Sequence, residues 1–428
     1  MTHHMLRHEE KDIILFVGKM EMTHVDDVAR FSKEYGKKYV PALITSLGAK
    51  VEETLERKLA FLVRCDTRDM KAVEKRLRPY ADRIAAIISR YEFSMPLYGR
   101  LADLFPYLRL PTARSLAIAS NKINMRRAFR RYDKRITPRF VVVKRSGKTA
   151  VKNIIEKIGF PCVIKPANLA KSQLVIVCYY KEELEKNLRV TLQKVRKLYR
   201  AARVEWEPTV LVENFMEGQM YSIDAYVNSR GYMEYTPIIE IKTGKDAGYD
   251  DFFMYTQITP SILNQKEEER ARTTVAKATH AIGLRSSTVH AELMRTQQGW
   301  KVIEVGARVG GFRDRLLNTA FGFHHTGNDF RIHLGKKPVI KRKRLKHVGF
   351  IKFFPKKPGR LMALHGIKKV EEMRAVIKVT QNKKVGDFCG LSRYGHPYVL
   401  GVTVAATSRS KMLGELRKVE KLVEIKTE

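Results

Sequence analysis

Two alternating runs in the second half of the chain constrain its fold more than any other feature. Val289–Arg295 reads V-H-A-E-L-M-R, and Val302–Gly311 reads V-I-E-V-G-A-R-V-G-G. Apolar and polar residues alternate with the period of two that a strand requires. The turn-like stretch Gln297–Gly299 makes the pair an antiparallel hairpin. Glu292 lies six residues before Gln298 and Glu304 six residues after it, so the two carboxylates are expected side by side on one sheet face. Opposed carboxylates repel unless a cation sits between them, and oxygen ligands combined with phosphate suit Mg²⁺. Arg308, four residues beyond Glu304, falls where it would stabilise charge on a phosphoryl group in transfer. Gly306, Gly310 and Gly311 let backbone approach a ligand closely. The plain alternative is a hairpin with two exposed glutamates.

The remainder reads as mixed α/β. Strands at Asp12–Val17, Lys38–Ile44, Ala60–Arg64 and Ile84–Ser89 alternate with helices at Val25–Tyr35 and Asp69–Leu77, the rhythm of a small parallel sheet. Asp66 or Thr67 is the expected cap of the second helix. A helical region spans Pro96–Tyr132. The next unit has strands at Phe140–Val143, Cys162–Lys165 and Leu174–Cys178, and a helix at Lys181–Arg203 with an apolar stripe of Leu184, Leu188, Leu192, Val195 and Tyr199. Strands Val210–Glu213, Met220–Asn228 and Met233–Lys242 and helix Gln265–Ile282 precede the hairpin. Strands near Gly349–Phe354, Ala375–Val379 and Tyr398–Ala406 follow it, and a helix at Lys411–Val423 is capped by Ser408 or Ser410. The expected boundaries are 1–118, 119–207, 208–335 and 336–428.

Further candidates sit at strand ends, where α/β proteins place ligands. Lys165 closes F-P-C-V-I-K-P (Phe160–Pro166), and the small polar loop Ala167–Gln173 follows. Its amides and Ser172 are suited to cradle phosphate, with Lys165 as counter-charge. Glu213 ends an apolar strand in L-V-E-N-F-M-E-G, placed to read a purine edge. His290 shares a face with Glu292 and would touch phosphate or substrate, or simply pack. Arg313 and Arg315 would bind a substrate carboxylate, or face solvent. His324–His325 lacks a third ligand and reads as structural, and Trp206 and Trp300 read as packing residues.

Composition narrows the class. The chain has 428 residues, 44% hydrophobic and 9% aromatic, which excludes disorder of the low-hydrophobicity kind. No apolar run approaches the roughly 20 residues of a membrane helix, and the start lacks a signal-peptide pattern. Cys65, Cys162, Cys178 and Cys389 are far apart without a C-x-x-C spacing, as for reduced thiols in a cytoplasmic protein. There are 82 Lys and Arg against 45 Asp and Glu, a net charge of +37. Such a balance favours polyanionic partners, or belongs to a generally basic set of proteins. Residues 331–428 hold 25 Lys and Arg against 7 Asp and Glu, densest in Lys336–His347.

With N-K-I-N-M-R (Asn121–Arg126), P-C-V-I-K-P (Pro161–Pro166), V-E-N-F-M-E-G (Val212–Gly218), H-A-E (His290–Glu292) and E-V-G-A-R-V-G-G (Glu304–Gly311) in this order, the sequence resembles the ATP-grasp superfamily over about residues 12–425. It looks most like the carboxylate–amine ligase branch with L-amino-acid (dipeptide) ligases and carnosine-synthase-like enzymes. The resemblance implies a Rossmann-like N-terminal domain, two central lobes and a small C-terminal α+β lobe, with ATP and Mg²⁺ as cofactors. It implies that Lys122 and Lys165 contact ATP phosphates, with Ser172 and Gln173 in the phosphate loop. Glu213 and Phe215 match the adenine hinge, Glu292 and Glu304 the Mg²⁺ ligands, and Arg308 the arginine that steadies the acyl phosphate and tetrahedral intermediate. Gly310, Gly311, Arg313 and His290 fall on the substrate side, as does the loop Tyr249–Tyr255.

Three positions depart from the pattern. Met220 stands where many relatives bind ribose with an acid, and Asp224 serves instead only if the register shifts. Leu174 replaces a flexible glycine of the phosphate loop, and leucine is not expected at glycine's positive φ. Gly306 replaces an asparagine, so Glu304 is expected to carry the second Mg²⁺ alone. The expected activity is amide-bond formation between a carboxylate and an amine, with an amino acid as one substrate. Partners are then small molecules and a second copy of the chain, with no membrane. The alternatives are an ATP-binding interaction protein without catalysis, and a ligase for a polyanionic or carrier-bound substrate. No nucleic-acid motif is present, although the charge does not exclude such a partner.

Overall fold

The computed structural model describes residues 11–169, 172–201, 207–249 and 251–428. Four parallel strands form the N-terminal sheet in the order Leu62–Cys65, Val40–Ser46, Ile13–Val17, Ile84–Ile88. Ile13–Val17 is wholly buried. Ile13, Leu15 and Val17 face one apolar cluster, while Ile14 and Phe16 face another with Val28 and Phe31 of helix Met22–Tyr35. A parallel strand covered on both faces needs such a continuous apolar run. Helix Met70–Leu77 is capped by Asp69, which accepts the amides of Lys71 and Ala72. This corrects the cap expected at Asp66 or Thr67, since the Asp66 carboxylate is taken by Arg68.

The second unit is an antiparallel sheet in the order Phe140–Val143, Val210–Asn214, Cys162–Pro166, Ile176–Cys178. Helix Lys181–Ala201 buries its stripe of Leu184, Leu188, Leu192, Val195 and Tyr199 in the core of this unit. Arg203 and Trp206, assigned above to the helix and to packing, lie outside the described residues, as do Ala170, Lys171 and Asp250.

A nine-stranded sheet and a small antiparallel sheet in the order Phe388–Cys389, Gly359–His365, Glu424–Thr427 make up the rest. From one edge the nine-stranded sheet runs Gly299–Gly306, Ser287–Thr296, Gln219–Val227, Ile239–Thr243, Met254–Thr259, His347–Phe353, Leu400–Ala406, Val376–Gln381, with Met233–Tyr235 also paired to Gln219–Val227. The sheet therefore continues across residue 335, and three of its strands come from the tail. The single strand expected at Met233–Lys242 is two, Met233–Tyr235 and Ile239–Thr243. Pro237 lies in the break and has no N–H for a ladder. Helix Arg409–Leu422 is capped by Ser408 rather than Ser410, and packs Met412, Leu416 and Val419 on the sheet. Among the described residues no helix is long and apolar enough to cross a membrane.

Candidate active site

The site is built outward from the hairpin. Thr296 pairs with Gly299 and Leu293 with Val302, a register that would set Glu292 against Ile303. An irregularity between Glu292 and Leu293 inserts one residue, and Glu292 pairs with Glu304 instead. Such a bulge re-aims every side chain beyond it. The two carboxylates are directly opposed and partly exposed, and Lys122 Nζ lies 3.2 Å from Glu304 Oε2. Lys122 also donates to Leu169 O at 2.8 Å. It opens helix Lys122–Tyr132, whose cap Asn121 donates to Asn168 Oδ1 at 2.6 Å. The helix start is thus docked on Asn168 and Leu169.

Lys165 is turned onto Glu213, which is 0% exposed. Lys165 Nζ donates to Glu213 Oε2 at 2.8 Å, and Arg126 Nε to Oε1 at 2.5 Å. Arg126 further donates to Ile303 O at 2.8 Å, beside Glu304. The Glu213 carboxylate is therefore held inside an ion triad rather than presented to a cleft. Burial pushes its carboxyl up, but the two cations outweigh this and take it down to about 2. Phe215, partly buried, donates its N–H to Pro161 O.

Behind strand Ser287–Thr296 lies Asp224, 1% exposed. It accepts from His290 Nδ1 at 2.6 Å, His325 Nε2 at 2.7 Å and the Gly310 amide at 2.8 Å. His325 continues to the Tyr226 hydroxyl at 2.5 Å. His290 Nε2 faces Glu292 Oε1 at 3.5 Å. Burial disfavours charge on Asp224, yet the two histidines hold its carboxyl well below the usual range. Burial also raises the Glu292 carboxyl, and His290, Arg313 and Lys122 together lower it. A Cβ on Gly310 would lie 2.5 Å from His290 Nδ1, so only glycine fits this turn. Asp224 is thus an interior anchor, which removes it as a ribose ligand. Met220, at the position many relatives use for ribose, is buried with Ile239 and Ile241.

Arg308 Nε donates to Glu92 Oε1 at 2.8 Å, bridging to the N-terminal unit. Gly311 is exposed, and a Cβ there would meet open space. Arg313 is 1% exposed, which overturns the alternative of solvent exposure. Its guanidinium donates to Gln257 Oε1 and, at 2.7 Å, to Ser222 Oγ. Arg315 is partly exposed. His325 is fully buried, and Trp300 packs on Tyr221, both structural placements.

The loop expected to hold phosphate departs from expectation in its backbone. Leu174 has φ +55° and Ser172 φ +56°, so a non-glycine does occupy the left-handed region here. The strain is held by its surroundings: Leu174 is 5% exposed in the second unit's core, and its N–H donates to Arg393 O at 3.0 Å. Ser172 Oγ is 3.5 Å from Phe252 O. Gln173 lies against Gly395. Strand Ile176–Cys178 consequently starts two residues later than expected. In the Tyr249–Tyr255 stretch, Tyr249, Phe253 and Tyr255 pack on one another, and strand Met254–Thr259 begins there.

The residues fit ATP and Mg²⁺ by donor chemistry. Two opposed carboxylates with a lysine against one of them form a place where a cation is already required. Glu292 and Glu304 would hold the metal, and Lys122, Lys165 and the loop the phosphates. Sequence reasoning missed Arg126, Glu92 and the anchoring role of Asp224. Arg126 shares a helix face with Lys122 at a spacing of four, and Glu92 follows the carboxyl end of a parallel strand, so both carried a signal.

Residues 158–314 match the ATP-grasp domain family. The "uncharacterized protein y4rH" of Sinorhizobium fredii is 26% identical over 63% of this chain and 55% of its own length. Alanine–anticapsin ligase of Bacillus subtilis is 27% identical over 37% of this chain and 35% of its own length. The chain thus spans about half or less of the curated relatives it matches. The crystal structure of L-amino acid ligase from Bacillus licheniformis superposes with a TM-score of 0.74 at 18% identity, covering 98% of this chain and 99% of that one.

Proposed function

We propose, from the premise that the chain carries an ATP-grasp domain, that it is an ADP-forming ligase joining a carboxylate to an amine, with an amino acid as one substrate. The observation that carries this reading is the opposed pair Glu292–Glu304 with Lys122 at 3.2 Å. When bound, ATP supplies the phosphoryl group that activates a carboxylate as its acyl phosphate, Mg²⁺ neutralises phosphate oxygens, and an amine then displaces phosphate to form the amide. The work left to the chain is positioning and charge neutralisation. Glu292 and Glu304 hold the cation on one sheet face. Lys122 and Lys165 attract phosphate oxygens. Arg308, tied to Glu92, meets the negative charge that develops on the substrate side. Asp224 fixes the Gly310 turn and the His290 ring behind the metal strand.

The test is to mix the protein with ATP, Mg²⁺ and a broad panel of amino acids and to follow ADP and phosphate. Coupled release of both, dependent on two substrates, is the expected result. Saturable ATP binding by calorimetry with no ADP from any pair would replace this reading with that of a nucleotide-binding protein without catalysis. The pinned phosphate loop, with Leu174 at positive φ, favours that second reading.

A further inference from the structure

Residues 336–346 contain seven Lys and Arg and no acid. All seven side chains are exposed, and the segment has no regular secondary structure. It is nonetheless held in place. Val339 N–H donates to Asn328 Oδ1 at 2.7 Å, Asn328 Nδ2 donates to Val339 O at 2.8 Å, and Leu345 N–H donates to Ala320 O at 2.8 Å. Like charges on one strap repel one another, so these bonds present the charge against its own repulsion.

The strap is one end of a longer cationic face. Gly335, at its start, packs on the Arg109 side chain, and Arg109 donates to Ser229 Oγ at 3.2 Å. Two residues on, Gly231 is covered by the Arg285 guanidinium, and its carbonyl lies 3.4 Å from His280 Nε2. His280 and Gly283 line a groove of about 710 Å³ with Arg114, Arg127 and Arg131. Arg342 of the strap returns to Tyr235 O at 3.2 Å. Arg109, Arg285 and Arg342 bond a hydroxyl or carbonyls, and among the described residues none of the arginines of this face pairs with a carboxylate. Glu234 is the one acid of residues 228–235. Two aromatic rings interrupt the charge: Tyr132, 52% exposed in the groove, and Tyr232, 72% exposed on the loop.

We propose that this face binds single-stranded nucleic acid. Arginines and lysines along a groove track phosphates, and exposed aromatic faces stack on unpaired bases. A lipid surface offers phosphates but no base to stack, and meets a plane rather than a groove. The ligase site is not used by this surface.

The test is fluorescence anisotropy of a labelled 20-nucleotide oligouridine with the full chain at several salt concentrations. Neutralising Lys341, Arg342, Lys343 and Arg344 to Gln is expected to flatten the log–log salt slope by about 3, at roughly 0.7 for each phosphate no longer neutralised. Arg114→Gln with Arg127→Gln and Arg131→Gln flattens it by about 2 on the same basis. Tyr132→Ala with Tyr232→Ala weakens binding about tenfold with the slope unchanged. A control with Lys368, Lys369, Lys378 and Lys384 changed to Gln is expected to shift the slope by less than about 1. All these positions are exposed, and unchanged melting checks the fold. No binding at low salt overturns the proposal, as do a control as damaging as the strap variant, and equal or tighter binding to phosphatidylserine vesicles.

Discussion

Two charge clusters share one arginine and are built oppositely. Around Glu213 one carboxylate is fully buried between two cations, Arg126 and Lys165. Around Glu292 and Glu304 two carboxylates stand partly open, with Lys122 against Glu304. In the first the carboxylate is enclosed by the chain, and Lys165 is its partly open member. The second has Lys122 on Glu304 and His290 3.5 Å from Glu292, and both carboxylates keep part of their surface open. Arg126 joins the two, because it holds Glu213 and also Ile303 O next to Glu304. A dry triad thus serves as the footing of an open pair.

On this contrast, damage to the triad should appear as stability and damage to the pair as activity. Glu213→Gln leaves buried Arg126 and half-buried Lys165 without an anion, and is expected to cost about 3–5 kcal/mol, read by urea denaturation. Its pH signature follows from the depressed carboxyl. Native Glu213 contributes stability that is fully present above its ordinary value of 4.5 and is lost as pH falls toward about 2. In Glu213→Gln the part of the acid destabilisation falling in that window should vanish. Glu304→Gln is expected to leave folding nearly intact while lowering ADP release about 10²–10³-fold. A loss of melting temperature comparable to that of Glu213→Gln would erase the distinction.

Asp224→Asn stands between the two. One amide oxygen cannot accept from His290, His325 and the Gly310 N–H together, so a cost of about 1–3 kcal/mol is expected, with turnover falling alongside. Retained turnover at reduced stability would reduce Asp224 to an interior residue only. The smallest effect belongs to Ser172→Gly, which relieves a left-handed backbone worth about 1 kcal/mol. It should change the KM for ATP by no more than about fivefold, since 1.4 kcal/mol is tenfold.

The hairpin was legible because period-two alternation and a turn need no distant partner. Its register was legible only by coincidence of count, since the tight turn alone pairs Glu292 with Ile303 and the bulge restores Glu304. Lys165 and Glu213 were legible as strand ends and Lys122 only through the family resemblance, but the closing of Lys165 onto Glu213 depends on Arg126, 87 residues before Glu213. Helices Arg313–Phe321 and His325–His333 were not seen. His325, Asn328, Asp329 and His333 are polar yet buried, so the second helix lacks the apolar stripe that marks a helix in sequence. Leu174 shows the converse: local conformational preference was read correctly, and tertiary packing overrode it.

The sheet that crosses residue 335 also sets an order of assembly. The N-terminal sheet draws on residues 13–88 alone and has all its strands within the first quarter of synthesis. Met254–Thr259, by contrast, has one edge without a partner until His347–Phe353 emerges, and that strand in turn waits for Leu400–Ala406. During translation the sheet that carries Glu292 and Glu304 therefore keeps an open edge, competent to pair wrongly, until the basic tail has been made.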